Sequence, residues 1–328
     1  MLWNRGFTNA AFFDYRVRFQ HALHSIAGKR GDGDLLLFLT AYVRSKLARY
    51  FVFHTSASLG TERDQVHMVE ALRLPFFLPD DDAASRNSVA LVTKVAEKIR
   101  RLKDEMEADA ARLKNKLQSA EFHLRSEGVA TDAQEWRRWL ERQREKSRDL
   151  QTELDPLIFK YFGLNEQEVA LIEDTCDIFD KSDTPGSLEG AKTIPTLEPV
   201  DANGLKRYAK MLTATLNGWA SGTLRVSASG GVDSKVGLGL VKLDQTKSAS
   251  SFRTRAISGE LVSALQRLEE ASTERSGSLA YLRRPWVFDG TRIYIVKPAL
   301  NGQWTRTAAL NDAADIYVHI AEARRRAK

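Results

Sequence analysis

Between residues 85 and 160, apolar side chains recur in steps of three and four: Leu91, Val95, Ile99, Leu102, Met106, Ala110, Leu113, Leu117, Ala120 and Leu124. This spacing lays one apolar seam along a long helix of coiled-coil type. Gly128 and Thr131-Asp132 interrupt it, and a second helix carries Trp136, Leu140, Leu150, Leu154 and Tyr161. The expected object is a long antiparallel helical hairpin, read either as a structural strut or as a partner-docking arm or spacer.

A chain of 328 residues, 43% hydrophobic and 28% charged, has ample apolar material for real cores on either side of that hairpin. The longest apolar run, Leu35 to Tyr42, falls well short of the roughly 18 residues that a membrane span needs. No signal-peptide pattern opens the sequence. One cysteine, Cys176, excludes an internal disulfide framework and a multi-cysteine zinc site. The expectation is a cytoplasmic protein without a membrane partner or a bound metal. Charge is uneven beneath the net +6: residues 161–202 hold 2 basic and 10 acidic side chains, and residues 203–328 hold 20 and 10. The basic C-terminal block suits a polyanionic partner, because each neutralised phosphate releases counterions.

Four segments follow: 1–84, an α+β region; 85–162, the hairpin; 163–202, an acidic helix and linker; and 203–328, a basic α+β domain. In the first, Phe12 to Phe19 alternates after Asp14 as a half-buried strand does. Asp32-Gly33-Asp34 then starts a helix expected to reach Tyr50. Phe51-Val52-Phe53 reads as a short β-like run, and the two prolines of Leu74-Pro75-Phe76-Phe77-Leu78-Pro79 impose an extended path. Gly163 reads as a helix C-terminus, with Asn165 and Glu168 spaced as a capping box for the next helix. In the last segment helices are expected over 205–219, 258–271 and 311–328, and strands over 223–227 and 237–243. Asp289-Gly290 marks a hairpin between Trp286-Val287-Phe288 and Thr291 to Val296.

Ser229-Gly230-Gly231-Val232-Asp233-Ser234 spells the phosphate loop of ATP pyrophosphatases, which needs a helix immediately after it. Two glycines, Gly237 and Gly239, stand where that helix must run, so a Gly-rich turn between antiparallel strands is the stronger reading. The six histidines show no metal-ligand spacing with acidic neighbours. Cys176 lies in an acidic stretch that disfavours a thiolate. The Asn/Asp-Pro-Pro-aromatic tetrapeptide of amino-methylating DNA methyltransferases is absent, as is their glycine-rich cofactor loop. The chain reads as non-catalytic by itself.

Three stretches carry a family resemblance. Leu35 to Tyr50, with Arg44-Ser45-Lys46, is followed by His54-Thr55-Ser56-Ala57-Ser58 and then by Leu74 to Pro79. This order resembles the end of a target-recognition domain in type I restriction specificity subunits. Leu157-Ile158-Phe159-Lys160-Tyr161-Phe162-Gly163-Leu164-Asn165-Glu166-Gln167-Glu168 is similar to the segment that follows the long helix in adenine-specific restriction methylases. Arg284 to Asp315, with Phe288-Asp289-Gly290, Tyr294 to Pro298, Trp304-Thr305-Arg306 and Leu310 to Asp315, is similar to the ends of large methylases in phage-defence clusters. The methylase core itself is missing from this chain.

The resemblance implies an α+β chain: a partial DNA target-recognition domain, the long hairpin as ruler or dock, and a C-terminal α+β domain. It implies a specificity subunit or a split C-terminal half. Its partners would be double-stranded DNA, a catalytic methyltransferase chain holding S-adenosylmethionine, and other restriction or defence subunits. Arg44, Lys46 and Arg49 would hold phosphates, while Thr55, Ser56, Ser58, Thr61 and Arg63 face the bases from a loop. Arg283, Arg284, Lys297 and Arg306 would surround phosphate or a flipped base in the C-terminal domain. A coiled-coil assembly or adaptor protein remains the alternative, and an ATP-dependent enzyme built on the SGGVDS segment a third.

Overall fold

The structure is a computed structural model that describes residues 1–5, 9–19, 23–57, 59, 65–81, 87–121, 128–183, 194–220, 225–248, 250–273 and 286–326; the side chains of 116–121, 128–133, 183, 269–273, 323–324 and 326 are also left undescribed. Helices and strands are mixed, in two compact units, Met1–Asn165 and Glu166–Lys328. The hairpin therefore belongs to the same unit as the N-terminal region, and the acidic stretch begins the second unit.

The first unit opens on three short antiparallel strands, β1 (Leu2–Asn4), β2 (Ala10–Ala11) and β3 (Leu23–Ser25), in the order β2-β1-β3. No strand forms over Phe12 to Phe19. Tyr15 and Phe19 are exposed, so the alternation there has no core to face. The helix expected from Asp32 to Tyr50 is two helices, α1 (Gly33–Val43) and α2 (Lys46–Thr55). Ser45 divides them: its hydroxyl donates to the Tyr42 carbonyl at 2.6 Å and accepts from the Ala48 amide at 3.2 Å. A serine side chain thus takes over the backbone groups a continuous helix would pair, and caps the second helix. Phe51-Val52-Phe53 lies inside α2. Ala48 and Val52, four residues apart, are both fully buried, and this helical stripe overrides the local β preference.

A short helix, α3 (Met68–Ala71), precedes the proline segment, which runs extended as the prolines require. The Tyr42 hydroxyl donates to the Pro75 carbonyl, and the Tyr161 hydroxyl to that of Phe77, both at 2.7 Å. Burial pushes the Tyr161 phenol up to about 12, with Asp81 and Asp80 adding to the effect. The hairpin helices, α4 (Ser88–Glu121) and α5 (Gly128–Tyr161), run antiparallel, bridged by Lys98–Glu153 at 2.6 Å and Asp109–Lys146 at 2.8 Å. On α4, Leu91, Val95 and Leu113 are buried, with Ile99, Leu102, Met106 and Ala110 half-buried between them. The side chains of Leu117, Ala120 and Leu124 lie outside the described residues. On α5 the buried line ends in Leu154, Ile158 and Tyr161, but higher up it passes through Trp139 and Gln143. Trp136 and Leu140 are 39% and 45% exposed, off the line expected for them. Gly163, at φ +67°, ends α5: its amide and that of Leu164 return to the carbonyls of Lys160 and Phe159.

In the second unit α6 (Glu166–Asp174) continues through a π-helical turn, Thr175–Phe179, into α7 (Asp180–Asp183). This part of the acidic segment is structured, with Ala170 in the core. Next come α8 (Ala202–Trp219), β4 (Arg225–Asp233), β5 (Leu238–Thr246), β6 (Arg253–Thr254), α9 (Ser258–Thr273), β7 (Trp286–Asp289), β8 (Arg292–Pro298) and α10 (Arg306–Arg326). The strands form one sheet, β6-β4-β5-β8-β7, antiparallel except between β4 and β6. Ala228, Val241, Leu243, Ile293 and Ile295 pack on α8 and α10 from one face. Leu240, Tyr294 and Val296 meet Leu261, Ala264 and Leu268 of α9 from the other. The sheet is covered on both faces, which is why β5 and β8 read as near-continuous apolar runs.

Candidate nucleic-acid interface

The polar loop after α2 has a built base. Glu70 in α3 accepts from the Ser56 hydroxyl and the Ala57 amide, both at 3.1 Å, and from the His67 amide at 2.8 Å. The His67 amide, with the other two donors, holds its carboxyl below the usual range. Leu59 and Val66 are buried beneath the loop, and the Val66 amide donates to the Arg5 carbonyl at 2.7 Å. One carboxylate and two apolar anchors thus close both ends of the loop on the body of the unit. Glu70 escaped the reading of the sequence. Its signal was the His67-x-x-Glu70 spacing, which forms a capping box.

The expected DNA-contact residues of this unit divide. Thr55 is exposed, its hydroxyl donating back to the Phe51 carbonyl at 2.7 Å. Ser56 is held by Glu70. Lys46 and Arg49 are half-buried on α2, and both make contacts within the protein. Arg44, expected to hold a phosphate, is half-buried at the end of α1. It turns inward, donates to the Ser147 hydroxyl at 2.7 Å, and lines an apolar cavity of about 410 Å³ among α1, α4 and α5. Burial pushes its guanidinium pKa down, partly offset by Asp155. Ser58, Thr61 and Arg63 lie outside the described residues.

In the second unit two of the four expected cations are spent internally. Lys297 is buried, and its ammonium pairs with Asp312, donates to the Gln303 carbonyl at 3.3 Å and sits over the rings of Tyr208 and Trp304. The Tyr208 hydroxyl donates to the same Asp312 carboxylate, and burial together with that charge drives its pKa well up. Arg306 bridges Glu173 at 2.8 Å and Asp174 at 3.3 Å. Asp174 also accepts from the amide and hydroxyl of Thr307 at 2.7 and 2.9 Å, closing the start of α10. These two cations hold the fold together and present no free charge to a phosphate. Arg283 and Arg284 lie outside the described residues. Exposed Lys206, Arg207 and Lys210 on α8 form no ion pair among the described residues, and the sequence reading passed over them.

Ser229 to Asp233 belongs to β4, and the turn to β5 is Ser234 to Gly237. A Cβ on Gly230 would stand 2.0 Å from the Leu240 carbonyl oxygen, and one on Gly231 would stand 2.3 Å from that of Arg255. Backbone approach explains both glycines. Asp233 accepts from the Lys235 and Val236 amides at 3.0 and 3.3 Å and from the Ser258 hydroxyl at 3.0 Å, which shapes the turn. The glycine-rich turn expected here is thus a strand followed by an Asx turn, and no helix opens after the motif.

Among the described residues, no group of three or more His, Cys, Asp and Glu side chains could hold a metal ion, and no helix is long and apolar enough to cross a membrane. No family model, curated protein or solved structure matches the chain.

Proposed function

We propose that the chain is a non-catalytic DNA-recognition subunit, or the split C-terminal half, of an adenine-specific DNA methyltransferase in a restriction-modification or anti-phage defence system. One observation carries the reading. Two segments of the resemblance in the first half of the sequence, and another at the end of α5, supply one apolar core: Phe38 and Tyr42, then Phe76 and Phe77, then Ile158 and Tyr161. Phe77 stacks on Tyr161 at 5.0 Å, and the two tyrosines clamp the proline segment. The stretches Leu35 to Pro79 and Leu157 to Phe162 thus share one core, which suits a recognition domain joined to its long helices, while Arg284 to Asp315 belongs to the second unit. Beside that module, Glu70 fixes the mouth of a loop whose sequence holds Thr61 and Arg63, residue types that reach base edges.

In this reading basic side chains hold phosphates, the loop reads sequence, and the hairpin sets the distance to a catalytic chain that binds S-adenosylmethionine. A duplex-DNA titration at two salt concentrations, with and without that chain, tests it. Binding that weakens with salt and gains sequence selectivity with the catalytic chain supports the reading, and absence of binding in both cases overturns it. A coiled-coil adaptor is the second reading, favoured by the exposure of Trp136 and Leu140 on α5. It predicts self-association without salt-sensitive DNA binding.

A further inference from the structure

Ion pairing changes along the hairpin. Near its base four cations in a row along α4 are spent: Lys98 on Glu153, Arg100 on Asp34, Arg101 on Glu105, and Lys103 on Asp14 and Glu107. Lys94 and Lys160 stand exposed and singly, without an ion pair among the described residues. Farther along, Asp109 takes up both Arg112 and Lys146. By contrast Arg137, Arg138, Arg142, Arg144 and Arg148 of α5 are all exposed and pair with no carboxylate among the described residues. Five exposed guanidiniums within twelve residues, with Glu141 and Glu145 as the only acidic side chains in the stretch, make this face strongly basic.

Their arrangement is specific. At about 100° per residue, Arg137, Arg144 and Arg148 fall in one row and Arg138 and Arg142 in another, about 120° apart around the helix. Exposed Glu141 and Glu145 lie between the rows. A flat anionic surface, whether a membrane or an acidic protein face, would meet those two carboxylates head on. A phosphate-walled groove would not. The DNA major groove is about 12 Å wide, close to the 10–12 Å diameter of a helix with its side chains. Its walls carry phosphates on both sides, and its floor offers the cytosine amino group, a donor for a carboxylate. The five arginines span about 16 Å of helix, enough for several phosphates on each wall.

We infer that the outer face of α5 is a DNA-backbone contact, with its two arginine rows on opposite phosphate walls of a groove. The inference rests on the DNA reading above, and makes the hairpin a grip as well as a spacer.

The test compares the full chain with a variant carrying Arg137→Gln, Arg138→Gln, Arg142→Gln, Arg144→Gln and Arg148→Gln, and with the five matching Arg→Lys changes. Glutamine and lysine both keep good helix propensity. Duplex-DNA affinity is measured across a salt series, with helix content followed by circular dichroism. The slope of log affinity against log salt is expected to fall in magnitude by up to about 4.5 for the glutamine variant, at about 0.9 per phosphate contact, and to persist in the lysine variant. If the glutamine variant loses helix content, the two rows are changed separately and each must lower the slope. Wild-type binding with an unchanged slope in the variant overturns the α5 contact and leaves the DNA reading standing. No wild-type binding overturns both. Displacement of the α5 contact by polyglutamate as readily as by DNA overturns the choice of a groove over an acidic protein.

Discussion

At the scale of single residues, the charges that looked available for DNA are sorted by burial. Lys297 and Arg306 sit among aromatics in the sequence as a nucleic-acid contact would, yet each serves a carboxylate inside the second unit. Lys297→Met leaves Asp312 buried beside Tyr208 with no cation, and removing one partner of such a pair costs about 3–5 kcal/mol. Chemical denaturation should show a loss of that size, with the salt dependence of DNA binding unchanged; a loss under about 1 kcal/mol would mean the pair is not closed to water. Glu70 gives a pH signature. Its folded pKa lies below its ordinary value of 4.5, so its contribution is complete above that pH and is lost as pH falls through the lower, folded value. Hydrogen-exchange protection of the Ala57 and His67 amides should therefore fall as the solution is acidified below about 4.5. In Glu70→Ala both amides should be unprotected throughout. Lys297 could not be assigned from sequence, because a partner 15 residues away is chosen by the fold. The capping-box spacing to His67 marks Glu70, but not its bonds to Ser56 and Ala57, 14 and 13 residues away.

At the scale of elements, periodicity read well and boundaries read poorly. The Asp289-Gly290 turn with Gly290 at φ +57°, and the helices α8 and α9, follow the expected pattern closely. These are signals written within a few residues. Most of the failures involve a distant surface. Phe12 to Phe19 alternates without a core to receive it, and Phe51 to Phe53 is helical because Val52 fills a site in the unit's interior. Trp136 and Leu140 fit the step of three and four, but the buried line runs one step aside through Trp139 and Gln143. The break at Ser45 was legible in principle, since serine competes for helix backbone groups. Ser45→Ala should cost about 1 kcal/mol through the lost cap of α2. A thermal or urea midpoint that does not move would contradict that role for the hydroxyl.

At the scale of the whole molecule, the net +6 is a residue of unequal parts. Part of the acidic block is structural: Asp174 closes α10, and Ala170 lies in a core. In the C-terminal domain, Lys242, Arg255, Arg267, Arg292, Lys297 and Arg306 are taken up by Asp174, Asp244, Glu260, Asp289 and Asp312. Among the described residues, exposed cations without such partners cluster on the outer faces of α5 and α8, and others such as Lys94, Lys114, Lys235 and Arg253 are scattered. Charge counting raises the expectation of a polyanionic partner, and only the pairing pattern separates the available cations from the committed ones. The central claim is that these free cations meet DNA phosphates, and the most direct test is the salt dependence of duplex-DNA affinity for the intact chain. A protein using six to ten phosphate contacts loses about 10³–10⁵ in affinity between 50 and 200 mM salt, and a steep loss approaching this range is the predicted result. Affinity that is absent, or that stays level across the same range, would contradict the account.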